Sequence, residues 1–268
     1  MSATKKRYGS VKWIMAFSII ICMAFLFGGC NQMAVQEKKD GDLTIKDIAY
    51  DITGKEDCMI YIEENGSFIP YLVISSDYAG STLILRKDLL DNTMPFNKNE
   101  THMWANYEYG GYYEDSSIDN YLNIEFVDML NHLVKDFIVE SNIVITDKSS
   151  LGVTGKTTKT ISRKVFILSL KELNGAESSA SVSEGNTLKF FADDYNRRVA
   201  NLPNGEKSAY WARTPETWET YTVFTIGSGG TGSGSADIDS GVRPAFCLPK
   251  NTVIHRGSVN GEDVYMVQ

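Results

Sequence analysis

An uncharged apolar run that ends in Gly28-Gly29-Cys30 constrains this chain most, because it separates a leader from the part that can fold. Three consecutive basic residues, 5–7, come first, and residues 13–27 then contain no charged side chain. A basic start, a short apolar core and small residues at its end are typical of a secretory signal. Crossing a bilayer takes ~20 apolar residues, and this run is shorter. The sequence therefore predicts export, with residues 1–29 as a signal peptide.

The cysteine at the end of the run indicates the kind of signal. Phe27-Gly28-Gly29-Cys30 resembles the lipobox of bacterial lipoproteins, in which the cysteine is diacylated and becomes the mature N-terminus; the usual Leu is replaced here by Phe27. Two acyl chains suffice for stable anchoring, so a lipidated Cys30 predicts a protein held at the cell membrane on its extracytoplasmic face. An uncleaved anchor and plain secretion are the alternatives. Residues 30–42 are predicted to be a flexible tether, because residues 31–42 are polar and lack periodicity.

The charge of the remaining chain excludes one class of partner. The whole chain has 26 Lys plus Arg and 34 Asp plus Glu, and the first 29 residues hold four of the basic residues and no acidic one. The other 239 residues therefore carry 22 basic and 34 acidic side chains, a net charge of −12. Nucleic-acid binding needs a basic face, so no nucleic-acid partner is expected.

The pattern of residues 43–268 predicts one α+β domain. Asn65-Gly66 lies between two β-branched and aromatic runs, which is a strong signal for a β-hairpin. Apolar residues in steps of three and four predict two main helices, over residues 117–137 and 188–200. Further strands are predicted at 81–86, 142–146, 164–169, 210–213, 220–226, 241–248 and 263–267, and long loops at 92–115, 148–159, 176–185 and 227–240. A mixed or antiparallel sheet is expected.

Several segments of the domain resemble, in order, the bacterial domain family of unknown function DUF6273. They are Pro70-Tyr-Leu-Val-Ile, Leu83-Ile-Leu-Arg, Ser117-Ile-Asp-Asn-Tyr-Leu, Val165-Phe-Ile-Leu-Ser-Leu, Tyr210-Trp-Ala-Arg-Thr-Pro and Gly241-Val-Arg-Pro-Ala-Phe. The last two are the most specific; the usual Trp-Trp-Leu-Arg of the family reads Tyr210-Trp211-Ala212-Arg213 here. The resemblance implies an exported domain without an established activity. The Gly-x-Arg ending is also similar to the last core strand of C-type-lectin-like and formylglycine-generating-enzyme-like folds.

The two arginines of these motifs have two interpretations. Arg213 and Arg243 each precede a proline closely, and a guanidinium can hold the carboxylate of a ligand with a bidentate fork. The alternative is a structural role, with each arginine paired to a buried acid such as Asp119 or Glu125. We favour the structural role, with Arg213, Gly241, Arg243 and Pro244 as one structural motif.

Aromatic residues are the candidate ligand-binding residues. They can form a platform for sugar rings or peptide, or they can pack in the core, as aromatic residues in strands usually do. The candidates are Trp104, Tyr210, Trp211, Trp218 and Tyr221.

Catalytic and metal-binding signals are weak. After removal of the leader and lipidation of Cys30, Cys58 and Cys247 remain, either as a disulfide or as buried free thiols. Asp237 and Asp239 in a glycine-rich segment are only weakly similar to a calcium-binding turn, so no metal or cofactor is predicted.

The sequence thus favours a lipid-anchored, non-catalytic binding or interaction domain for a glycan, a cell-wall component or a protein. The alternatives are an exported enzyme that acts on polysaccharide or protein thiols, and a structural subunit of a surface complex.

Overall fold

The computed structural model of the chain describes residues 43–98, 109–153 and 155–267. Those residues belong to one compact unit, residues 38–268. The predicted signal peptide, Cys30 and Trp104 lie outside the described residues. No helix in the described part of the chain is both long and apolar enough to cross a membrane.

Strands account for most of the regular structure. In chain order they are β1 Met59–Glu64, β2 Ser67–Tyr78, β3 Ser81–Arg86, β4 Met94–Pro95, β5 Ser141–Thr146, β6 Thr158–Arg163, β7 Val165–Phe166, β8 Ala200–Asn201, β9 Lys207–Ser208, β10 Tyr210–Pro215, β11 Thr222–Gly227, β12 Gly230–Ser235, β13 Asp239–Ser240, β14 Ala245–Leu248, β15 Ile254–Val259 and β16 Glu262–Val267.

The predicted Asn-Gly hairpin starts the main sheet. Asn65 and Gly66 have φ angles of 47° and 81°, the left-handed region that a two-residue hairpin turn requires at both positions. The seven-stranded sheet has the order β15-β16-β1-β2-β3-β14-β7. Its pairs are antiparallel except β1 with β16, where Tyr61 lies opposite Met266 in parallel register. The predicted mixed sheet and the α+β class are confirmed.

Smaller sheets surround the main one. They are the three-stranded sheet β10-β11-β12 and the two-stranded pairs β13-β4, β5-β6 and β8-β9. The prediction of a long loop over residues 227–240 is wrong for residues 230–235, because these residues pair with β11 along its whole length. Ladder hydrogen bonds there replace the side-chain packing that a Gly- and Ser-rich strand lacks.

The helices are shorter than the sequence predicts. They are α1 Tyr50–Thr53, α2 Ser117–Tyr121, α3 Val127–Met129, α4 His132–Lys135 and α5 Lys189–Asp193; a π-helical segment, Leu122–Phe126, joins α2 to α3, and 3₁₀ turns cover Ile45–Ile48, Lys148–Ser150 and Tyr195–Arg198. The predicted helix 117–137 breaks at Leu130, which is extended and forms an isolated β-bridge with Glu64. The predicted helix 188–200 breaks at Asp194, whose side chain caps the following 3₁₀ turn.

The predicted loop 176–185 contributes its second half to the core. Ala180, Ser181, Val182 and Glu184 are buried, whereas residues 176–179 are exposed. A hydrogen bond to a neighbouring turn holds the buried half, since the backbone N of Thr217 donates to the carbonyl of Ala180 at 2.7 Å.

Candidate functional site

A cavity with a volume of about 640 Å³ lies beside the main sheet and the helical segment 117–129. We call it the Arg86 cavity, after the guanidinium in its floor. Its lining combines apolar, amide, hydroxyl and charged side chains, which are Glu64, Asn65, Ser67, Ile69, Arg86, Leu90, Asp91, Asn92, Thr93, Met94, Lys98, Ser117, Tyr121, Glu125, Met129 and Pro203.

One wall of the Arg86 cavity is a single face of the helical segment 117–129. Ser117, Tyr121, Glu125 and Met129 recur every four residues and all line the cavity, because positions four apart lie above one another on a helix. The opposite face carries the buried residues, among them Ile118, Leu122 and Phe126. The helix therefore anchors itself with one face and offers a mixed polar and apolar face to the cavity.

The floor is a buried ion pair between Glu64 of β1 and Arg86 of β3, which lie on either side of β2. Arg86 Nε donates to Glu64 Oε1 at 3.0 Å, and the Tyr71 hydroxyl donates to the same carboxylate. Burial lowers the pKa of Arg86, but the hydrogen bond and charge of Glu64 outweigh it and raise the pKa overall. Burial, with the charge of Glu64 next, raises the pKa of Tyr71. The floor is thus a charged arginine that is fixed by internal partners.

The Gly241-Val-Arg-Pro-Ala-Phe segment holds the chain that leads from the floor to the rim. Arg86 N donates to the Pro244 carbonyl at 2.9 Å, and Leu90 N donates to the Val242 carbonyl at 2.9 Å. Arg243 donates from Nε to the Arg86 carbonyl at 3.0 Å. These bonds fix the backbone of residues 86–90, and the described hydrogen bonds of the Arg243 side chain go to backbone carbonyls and not to the acids suggested for it.

The other motif supports the adjoining wall. Trp211 is fully buried, and its indole Nε1 donates to the Met94 carbonyl at 3.0 Å. Its backbone N donates to the Gly241 carbonyl at 3.0 Å. A Cβ on Gly241 would lie 2.6 Å from Leu89 Cδ1 and 2.9 Å from the Ala209 carbonyl oxygen. Only glycine therefore allows the two motifs to approach each other this closely.

Arg213 lies in a buried charge cluster away from the Arg86 cavity lining. Its guanidinium donates to Glu172 Oε2 at 2.8 Å, and Glu184 Oε2 lies 3.6 Å from Arg213 Nε. Burial raises the pKa of Glu184. The structural role favoured for Arg213 agrees with this burial, but the suggested partners are wrong: Asp119 pairs with Arg163 at 2.8 Å, and Glu125 is exposed.

The predicted aromatic residues do not form one platform in the described part of the chain. Tyr210 and Trp211 are 2% and 0% exposed and belong to the core, so they are inaccessible to a ligand. Trp218 is 57% exposed, and Tyr221 is half-buried. Trp104 lies outside the described residues. The aromatic residue that does line the cavity is Tyr121.

The two remaining cysteines are free and buried, so the disulfide considered for Cys58 and Cys247 is absent. They lie in different strand environments, with Cys247 paired opposite Leu83. Burial raises the pKa of Cys58 to about 11 and that of Cys247 to about 12. Both groups are therefore protonated and unreactive at neutral pH.

The weak calcium hypothesis gains no further ligands. Asp237 accepts a hydrogen bond from Ser235, and Asp239 is exposed at the start of β13. No group of three or more His, Cys, Asp or Glu side chains converges as a metal site among the described residues.

The fold and the cavity define an α+β domain with a ligand-sized cavity whose walls are held by two buried motifs. The family model of the domain of unknown function DUF6273 matches residues 79–250, and the chain belongs to this family. No curated protein and no solved structure matches the chain.

The residues of the Arg86 cavity were not predicted from the sequence. One signal was available: the polar and large side chains at 117, 121, 125 and 129 repeat every four residues on the helix face opposite the apolar stripe. The pairing of Glu64 with Arg86 had no comparable signal, because 22 positions separate the two residues and only the β1-β2-β3 register brings them together.

Proposed function

We propose that this chain is a membrane-anchored bacterial lipoprotein that displays a non-catalytic binding domain on the extracytoplasmic face, and that the Arg86 cavity is its binding site. The observation that carries the proposal is the convergence of the two most specific family segments on the cavity. Trp211 holds the carbonyl of Met94, and Arg243 holds that of Arg86. One hydrogen bond from each motif thus holds the backbone of a residue that lines the cavity.

The size and chemistry of the cavity support binding. Sites for small ligands usually enclose ~300–1,000 Å³ and combine apolar walls with a few polar groups. The Arg86 cavity has about 640 Å³, with apolar contacts from Ile69, Leu90 and Met94 and polar groups around them. A glycan, a cell-wall component or a segment of a protein partner are the ligand classes that match an extracytoplasmic domain.

The engaged state of the floor argues against Glu64 as one of the two carboxyl groups of a glycosidase. Glycoside hydrolysis needs two carboxyl groups that are free to exchange protons or attack the substrate. Both oxygens of Glu64 accept hydrogen bonds from Arg86, and Tyr71 donates to one of them. The buried thiols likewise count against an enzyme that acts on protein thiols.

The N-terminal sequence and the charge support the membrane anchor. The cell-membrane surface is usually anionic, and residues 30–268 carry a net charge of −12. Charge would therefore keep the domain off the membrane, so a covalent lipid at Cys30 is the consistent means of attachment.

A cavity-blocking variant tests the binding site. Thr93 lines the cavity and is exposed, so Thr93→Trp fills the entrance without displacing core residues. The full-length protein in detergent is screened against a glycan array, a peptide array and purified cell wall. We expect the unmodified protein and Ser228→Trp, a control in the exposed β11-β12 turn, to bind the same ligand, and Thr93→Trp to lose it.

Unchanged binding by Thr93→Trp would contradict the assignment of the site. The exposure of Trp218 makes it the second candidate, so Trp218→Ala belongs in the same screen. Loss of binding in Trp218→Ala alone would move the site to that surface.

A further inference from the structure

Two carboxylates at the Arg86 cavity have no partner within the described part of the chain. Asp91 and Glu125 both line the cavity and are exposed. Neither takes part in an ion pair or a side-chain hydrogen bond with another described residue, whereas Glu64 below them is paired with Arg86. Since Glu64 and Arg86 neutralise each other, Asp91 and Glu125 determine the charge of this part of the cavity.

Tyr121 lines the same cavity and lies one helical turn before Glu125 on the helical wall. The one described contact of its hydroxyl is the sulfur of Met129 at 3.9 Å. Burial raises the pKa of Tyr121, and the charges of Glu125, Glu64 and Asp91 add to the rise. Tyr121 and Glu125 thus present a phenol oxygen and a carboxylate on one wall of the cavity that Asp91 also lines.

Lys98, the exposed basic residue of the lining, joins the helical wall at the end opposite Glu125. The backbone N of Lys98 donates to Ser117 Oγ at 3.1 Å, which places this residue beside the start of the helical wall. Glu125 is eight residues further along that wall, roughly 12 Å at 1.5 Å per residue. The cavity is thus polarised along the helix, and Lys98 would direct a ligand cation away from its own end.

The walls between the charged groups suit an aliphatic chain. Ile69, Leu90, Met94 and Met129 line the cavity, and methionine adapts its shape to unbranched apolar groups. A long amine packs its methylene groups on such a surface while its charged end reaches polar groups. A bare metal ion would leave this apolar lining unused.

On the basis of the proposed function, we propose that the Arg86 cavity recognises an aliphatic primary ammonium group, as on a lysine side chain of a peptide, with the ammonium between Asp91, Glu125 and the Tyr121 hydroxyl. The ammonium supplies three hydrogen-bond donors, and these three groups supply acceptors. The methylene groups pack against Met94 and Met129.

The test compares two probes that differ in charge. Nα-acetyl-lysine N-methylamide carries the ammonium, and Nα-acetyl-norleucine N-methylamide has the same stem without it. Binding to the full-length protein is measured by NMR shift perturbation. We expect saturable binding of the lysine probe, about tenfold weaker binding of the norleucine probe, and weaker binding of the lysine probe as the salt concentration rises.

Variants locate the interaction. Asp91→Asn with Glu125→Gln should reduce affinity for the lysine probe at least about tenfold, and Lys98→Gln should leave it unchanged or increase it. Asp128→Asn is the matched control, because Asp128 is an exposed carboxylate of the same helical segment that pairs with Lys135 outside the cavity. Thermal unfolding of each variant checks that the fold is retained.

Equal affinity for the two probes, no saturable binding of the lysine probe, or full affinity in the double variant would overturn this assignment. The proposed function fails separately: it is contradicted when Thr93→Trp retains binding of the ligand found by array. If Thr93→Trp loses that binding while the two probes bind with equal affinity, the Arg86 cavity stays the proposed site and the ammonium assignment is rejected.

Discussion

The charge of Arg213 has to be neutralised by other groups of the protein, because no solvent reaches it. Arg213 is fully buried, and it donates to Glu172 and to the carbonyls of Val144 and Ile167. Removing one member of such a cluster leaves an uncompensated buried charge. The sequence motif alone could not distinguish this role from ligand binding, because both need a guanidinium in a strand.

The second acid of this cluster makes a prediction about pH. Burial raises the pKa of Glu184 above its unfolded value of 4.5, so the folded state binds its proton more tightly than the unfolded state does. The contribution of Glu184 to stability is therefore fully present below pH 4.5 and is lost as the pH rises through the folded pKa. Glu184→Gln has no carboxyl group at this position, so its stability should not show this loss as the pH rises.

Urea unfolding across this pH range checks the sign. The free energy of unfolding of the unmodified protein minus that of Glu184→Gln should decrease as the pH rises above 4.5. Glu140→Gln, a change at an exposed glutamate, serves as the control. An increasing difference would mean that Arg213 and the threonines stabilise the charged form more than burial opposes it.

The two thiols make a second prediction at the residue scale. Because burial raises the pKa of Cys58 to about 11 and that of Cys247 to about 12, neither should react with a thiol reagent at pH 8 in the folded protein. Both should react on unfolding in guanidinium chloride. Rapid labelling of either cysteine in the native state would revive the thiol-enzyme alternative.

At the scale of elements, the helical wall shows what the sequence could and could not predict. The apolar steps through Phe126 placed the start of the helix correctly at Ser117, which Ser116 precedes as the cap. Its end was not predictable, because Leu130 continues the stripe but forms a bridge with Glu64. A tertiary contact therefore overrides a local periodicity.

The strand predictions divide in the same way. The β1-β2-β3 hairpins were predicted because Asn65-Gly66 and the apolar alternation are local signals. β6 was missed, since the polar sequence of Thr158–Arg163 becomes a strand only through its pairing with β5. β12 was missed for the same reason. The Arg86 cavity depends on contacts between distant segments, such as Trp211 with Met94 and Arg243 with Arg86, which explains why its residues were not predicted.

The contact between the two family motifs predicts a sensitive glycine. Gly241→Ala would place a Cβ 2.9 Å from the Ala209 carbonyl oxygen, which is backbone and cannot move alone. Overpacking of this kind costs about 1–3 kcal/mol. We expect a lower urea midpoint and weaker ligand binding, because the carbonyl of Gly241 also accepts from Trp211.

Gly229→Ala is the matched control, since a Cβ at that position meets nothing within 4 Å. A Gly241→Ala protein as stable as this control would show that the two motifs can separate without cost.

At the scale of the whole molecule, the proposed lipid anchor predicts the distribution of the protein in the cell. Cys30→Ala removes the acceptor thiol, so we expect the protein to shift from the membrane fraction to the soluble extracytoplasmic fraction. Cell fractionation with detection of the C-terminal domain measures the shift. Cys58→Ala is the control at a buried thiol, and unchanged fractionation of Cys30→Ala would contradict the lipoprotein proposal.

The point where the chain enters the main sheet has a mechanical consequence. Thr44 bridges Val253, and hydrogen bonds join Ile45 to Thr252 and Ile254 to Leu43. A force applied to the chain before Leu43 is thus transmitted first to the outermost strand, β15. The strand of Arg86 lies four strands further in. A force on the attachment point would therefore separate the edge strand before it disturbed the strand of Arg86.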